Sequence, residues 1–224
     1  MLFNRPCFDI ATYHGSMSTL RFGIEFCELH EINWIDLYGK YAIKQVFDSK
    51  IDDRIIMLDG CGHGMDRQHT GHECEVLLDA DNPKDLELMK GIGLGPLTCN
   101  WGNSAEDWLN AGIPFFSGYI MPFTFTRGSN RQDDEEALSY HLAHFIFMQN
   151  FLTEYLRGVF DPKAAHQARY DAFTALANES WNPVNKVYYI YNRDISITEV
   201  RGTAGVETFC LLPDYIRKIL HCPH

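Results

Sequence analysis

Long apolar runs are scarce in this 224-residue sequence. Nothing approaches the roughly 20 consecutive apolar residues that a bilayer-spanning helix requires. The nearest stretch, PFFSGYIMPFTF (114–125), is broken by two prolines. The opening MLFNRPCFDIATYHG has no uninterrupted apolar core of the kind an export signal carries. A basic surplus is also missing: 19 Lys and Arg stand against 30 Asp and Glu, for a net charge of −11. Affinity for nucleic acid rests on clustered cations that displace counterions, so a nucleic-acid surface is not expected. Nor is there any repeat, low-complexity linker or paired C-x2-C spacing. The seven cysteines (7, 27, 61, 74, 99, 210 and 222) are odd in number and widely spaced, which suits free thiols in a reducing cytoplasm better than a disulfide frame. A soluble cytoplasmic protein with one domain over residues 1–224 is the expectation, with no membrane segment.

What the sequence does have is alternation. Short apolar runs, many ending at glycine, separate longer stretches of helical period, and that order predicts an α/β fold. Strands are expected at 8–14, 33–39, 54–60, 75–81, 95–99 and 113–120, with a last one within 185–197. Helices are expected from about Ser18, with Phe22, Phe26 and Leu29 on one face, and over 41–49. Others should follow Asn82-Pro83, run to Leu109 from a cap at Asn103 or Ser104 with Gly112 closing it, and cover 134–157 and 162–178. In the 134–157 helix, His141 and His144 sit among apolar residues that wrap nearly all round, so packing explains them better than ligation. GIGLG (91–95) is no dinucleotide fingerprint, because Pro96 stands where the third glycine belongs. No cofactor is expected.

Chemistry concentrates in DRIIMLDGCGHGMDRQHTGHECE (53–75). In open parallel sheets reactive groups gather beyond the carboxyl ends of the strands, and His63 and Cys99 each follow an expected strand. A thiol attacks as thiolate, and a neighbouring imidazole can take its proton and return it to a leaving group. Two other readings exist. Cys61, His63, His69, His72 and Cys74 are all acceptable zinc ligands, but without knuckle spacing. His14 and Cys61, 47 positions apart, form a second possible dyad.

The segment IIMLDGCGHG (55–64) resembles the strand and turn that carry the catalytic histidine in the caspase–haemoglobinase fold, the cysteine peptidases that include caspases, metacaspases and gingipains. GPLTCNWGNSAEDWLNAGIPFFSGY (95–119) is similar to their strand ending at the catalytic cysteine, followed by a helix and another strand. The opening FDIATYHGSMSTLRFGIEFCEL (8–29) looks like their first strand and helix, and YYIYNRDISI (188–197) like a late strand of gingipain-like domains. The resemblance implies a three-layer sandwich with a mostly parallel central sheet. It implies a cysteine endopeptidase with His63 and Cys99 as the dyad and the backbone N–H groups of Gly64 and Cys99 as the oxyanion site. It also implies a peptide or protein substrate, and leaves room for an oligomer or a regulatory partner. The non-enzymatic alternatives are a zinc-stabilised or interaction domain, or a peptidase homologue without activity.

Overall fold

Phe3, Met57 and Phe115 lie in one apolar cluster and their chain neighbours Leu2, Leu58 and Phe116 in the other. Successive strand side chains point to opposite faces, so a sheet whose two faces are both apolar must be covered on both sides. That sheet is the centre of the protein in a computed structural model that describes residues 1–126, 135–202 and 205–209, the side chains of 136 and 201–209 excepted.

Five strands, β1 (Leu2–Arg5), β2 (Ile35–Tyr38), β3 (Met57–Gly60), β7 (Gly93–Leu94) and β8 (Phe115–Tyr119), pair in parallel in the order β2-β1-β3-β7-β8. Beyond β8, the strands β9 (Ser196–Gly202) and β10 (Gly205–Phe209) continue the sheet antiparallel. A separate antiparallel sheet of β4 (Gly64–Met65), β5 (Gln68–Thr70) and β6 (Val76–Asp79) projects from the end of β3. The helices are α1 (Ile10–Ser18), α2 (Glu25–Leu29), α3 (Lys44–Lys50), α4 (Pro83–Leu88), α5 (Ala105–Ala111), α6 (Glu135–Leu156), α7 (Pro162–Glu179) and α8 (Pro183–Asp194). They flank the sheet, and Trp108 of α5 and Phe47 of α3 fill one apolar cluster while Phe145 and Phe151 of α6 fill the other. The fold is therefore α/β with a mostly parallel central sheet and helices packed on it, as expected. Among the described residues no helix is long and apolar enough to cross a membrane.

Two expected strands are helices. Residues 8–14 begin α1, because the Asp9 side chain accepts the Thr12 N–H and Thr12 returns a bond to the Asp9 backbone, closing a capping box. The first strand lies upstream, at β1. A π-helical turn, Thr19–Ile24, joins α1 to α2, so the chain is helical from Ile10 to Leu29. Most of 185–197 belongs to α8, started by Asn182, whose side chain accepts the Val184 N–H, and by Pro183 at the first helical position. The strand begins only at Ser196. The two quoted likenesses to a first and a late strand therefore fall mainly on helix. A third difference concerns 75–81, whose strand β6 pairs with β5 outside the central sheet.

Candidate active site

The parallel pair β3 and β7 carries the chain towards both candidate residues. Met57 stands opposite Gly93 and Leu58 opposite Leu94. The ladder resumes past both strands with Cys61 opposite Leu97. The offset is 36 positions throughout, and Cys99 follows His63 by the same 36. The Leu97 N–H donates to the Gly60 carbonyl at 2.9 Å and the Gly62 N–H to the Leu97 carbonyl at 3.2 Å, so the two chains stay zipped almost to the pair. Gly64 then lies against the Cys99 carbonyl, where a Cβ would come within 1.9 Å of the oxygen. Only glycine allows the loops to close this far. His63 and Cys99 consequently share the wall of one cavity of about 50 Å³ at the carboxyl end of the sheet.

His63 is half-exposed and its Nε2 lies 2.5 Å from Oδ2 of Asp9. Asp9 also caps α1, and its other oxygen accepts the Thr12 N–H at 2.9 Å. Burial opposes the charge on Asp9, but the Thr12 N–H and the His63 ring outweigh it and hold the carboxyl below the usual carboxylate value. Phe8 presses edge-on against the His63 ring at 5.8 Å. The imidazole is thus oriented from two sides by the residues that start α1. Sequence reasoning missed Asp9. Its signal is the D-x-x-T spacing of a helix start, hidden by the reading of 8–14 as a strand.

Cys99 ends the β7 extension, and Asn100 after it takes a left-handed conformation (φ 60°) that turns the chain into Trp101–Ser104 and α5. The thiol is half-buried. Burial raises its pKa, while the backbone N–H groups of Phe123 and of Cys99 itself favour the thiolate. Ser104 stands at the expected cap of α5 but turns its hydroxyl elsewhere, donating to the Trp101 carbonyl and accepting from Trp108 Nε1.

The five zinc-ligand candidates do not assemble. His69 is buried and stacked on Trp101, with Nδ1 bonded to Thr98 Oγ1 at 2.7 Å and Nε2 to the Asn4 amide at 2.9 Å. Burial pulls its pKa down to about 3. Cys74 is exposed, His72 packs edge-on against Phe8, and Cys61 is buried against Gly15. Among the described residues no three His, Cys, Asp or Glu side chains gather in a way that would hold a metal ion.

The second dyad, His14 and Cys61, is set inside the protein. His14 is buried on α1 between the rings of Tyr13 and Phe125. The Cys61 thiol faces the Thr12 carbonyl at 3.8 Å, and burial raises its pKa far above that of an ordinary thiol. His141, set aside as a packing residue, is buried but lines the cavity with Phe123 and Phe125. Comparison with models of known protein families, with curated proteins and with solved structures returns no match.

Proposed function

We propose that the protein is a cysteine peptidase of the caspase–haemoglobinase kind, with Cys99 as nucleophile, His63 as general base and acid, and Asp9 as the group that positions His63. The observation that supports this reading is that His63 and Cys99 line one strand-end cavity, each two residues past the last pair of a common ladder, with a carboxylate behind the imidazole.

Because burial keeps the Cys99 proton on sulfur, attack and proton transfer are coupled. Sulfur bonds to the peptide carbonyl carbon as His63 takes the thiol proton, and the carbonyl π pair moves to oxygen. Backbone N–H groups at Gly64 and Cys99 are the donors assigned to that oxyanion. Loss of such a donor typically costs about 10²- to 10³-fold in rate. When the tetrahedral intermediate collapses, the C–N bond breaks and His63 passes its proton to the departing amine. Water, deprotonated by His63, then attacks the thioester and frees the acid and the thiol. Asp9, bonded to Nε2, fixes the tautomer that keeps Nδ1 as the base.

The test compares Cys99→Ala and Cys61→Ala in cleavage of a mixed peptide library, alongside iodoacetamide labelling mapped by peptide. Cys99→Ala is expected to abolish cleavage and remove the fastest-labelled site, and Cys61→Ala to do neither. Activity surviving in Cys99→Ala, with labelling at Cys61, moves the nucleophile to Cys61. No cleavage and no selective labelling of Cys99 leaves an interaction domain.

A further inference from the structure

The walls of the cavity between His63 and Cys99 carry information about what enters it. Leu97 comes from the β7 extension, Phe123 and Phe125 from the segment after β8, and His141 from α6. Among the described lining residues there is no carboxylate, ammonium or guanidinium. The polar face of His141 is partly taken up, since Nδ1 bonds the Ala137 carbonyl at 2.7 Å. The rings are braced against one another: Phe123 to Phe125 at 6.5 Å, Phe125 to His141 at 5.0 Å and Phe125 to His14 at 5.7 Å. A volume of about 50 Å³ holds a few non-hydrogen atoms, since about 10–15 Å³ on this measure suffices for one water.

Resting on the reading of Cys99 as nucleophile, we propose that the enzyme cleaves after small uncharged residues, such as Ala, Ser or Val, whose side chain fits this aromatic-walled cavity. A cationic side chain finds no carboxylate among the described walls, and an anionic one finds only imidazoles already engaged, His63 by Asp9 and His141 by the Ala137 carbonyl, so either would lose water with little compensation. A large one meets the two phenylalanines. Phe125 sets the limit, because it lines the cavity and, being only half-buried, can be trimmed with less damage to the core than the buried Phe123.

The experiment uses the full chain and a panel of acetyl-tetrapeptide coumarin amides that differ only in the residue before the scissile bond: Ala, Ser, Val, Leu, Phe, Asn, Asp, Lys and Arg. Iodoacetamide labelling of Cys99 gives an independent measure of the thiol. Ala, Ser and Val substrates are expected to lead, with kcat/KM for Asp, Lys and Arg lower by about 10²-fold or more. Phe125→Ala is expected to raise the ratio of kcat/KM for Leu over Ala by roughly tenfold or more, the usual worth of pocket room for added methylene groups. Phe125→Val serves if the alanine variant unfolds. Cys99-dependent cleavage that is fastest after Asp, Lys, Arg, Asn, Leu or Phe overturns the specificity and leaves the peptidase standing. A labelled Cys99 with no amide cleaved overturns the peptidase and the specificity together.

Discussion

Two aspartate–histidine pairs lie within one molecule, and their surroundings set them apart. Asp9 and His63 meet at 2.5 Å with side chains 38% and 40% exposed. Asp59 and His144 meet at 3.4 Å with side chains 1% and 2% exposed. Asp9 stays below the usual carboxylate value, whereas burial raises Asp59 well above it, and burial likewise holds the His144 imidazole neutral. The buried pair also belongs to a polar network. Tyr119 Oη contacts His144 Nδ1 at 3.1 Å, and Arg169 donates to Ser117 Oγ, to the Ile197 carbonyl and to His166 Nδ1, each at 2.9 Å. One pair stands open to water, and the other is sealed between the sheet and α6. Residue type alone makes no site, because access to solvent decides what the chemistry is used for.

The sharpest way to break this comparison is to cut each network and measure stability. Arg169 is fully buried and satisfies several acceptors at once. Arg169→Ala leaves those groups unpaired and is expected to destabilise the fold by about 3–5 kcal/mol in urea unfolding. Arg169→Met, which keeps much of the volume, should recover part of that loss. His63→Ala, at the half-exposed pair, is expected to stay within about 0.5 kcal/mol of wild type. A mild Arg169→Ala would mean that the network is not a structural keystone.

Acid sharpens the same contrast. His69 has a pKa of about 3 in the fold against 6.5 when unfolded. Between those values the unfolded chain binds the proton and the native state does not, so stability is lost as pH falls from about 6.5 towards 3. Burial also lowers His166, to about 2, and His144, so both act in the same direction. The expected loss is on the order of a few kcal/mol, read from urea midpoints across that range. His69→Gln should flatten the slope. An unchanged slope in that variant would show that His69 takes up its proton while still folded.

Much of the architecture could be read from the sequence where apolar runs end in glycine: RIIMLDG, GPLTC and IPFFSGYI each contain or adjoin a strand of the parallel sheet. Helix starts were legible where Asn or Asp precedes proline, at Asn82-Pro83 and Asp161-Pro162. Asn182-Pro183 is the same signal, overridden by the aromatic, β-branched look of VYYIYN. The spacing of 36 between His63 and Cys99 was visible as a number, but it acquires meaning only from the β3–β7 register. Asp9 was hidden for a different reason. The D-x-x-T spacing marks it only as a helix cap; its partner lies 54 positions away, and no local pattern reports a contact made by folding. The same holds for Phe123, Phe125 and His141, brought to the cavity from beyond β8.

At Asp9 stability and activity should part. Asn caps helices about as well as Asp, so Asp9→Asn keeps the acceptor for the Thr12 N–H and loses only the carboxylate facing His63. At 38% and 40% exposure that pair is screened by solvent and salt. The loss should stay within about 1 kcal/mol near neutral pH and shrink further in high salt. Its pH dependence has a definite sign: a carboxyl held below its unfolded value of about 3.8 stabilises the fold above that value, and the contribution is lost as pH falls through the lower native one. Wild type and Asp9→Asn should therefore converge in stability in strong acid. Activity should respond differently, because an amide cannot hold the imidazole tautomer in the same way. A fall in kcat of up to about 10²-fold is expected, the lower end of what a positioned proton carrier contributes, with KM little changed and partial recovery in Asp9→Glu. If kcat survives in Asp9→Asn while stability drops by several kcal/mol, Asp9 is a helix cap and no more, and the half-exposed pair is as structural as the buried one.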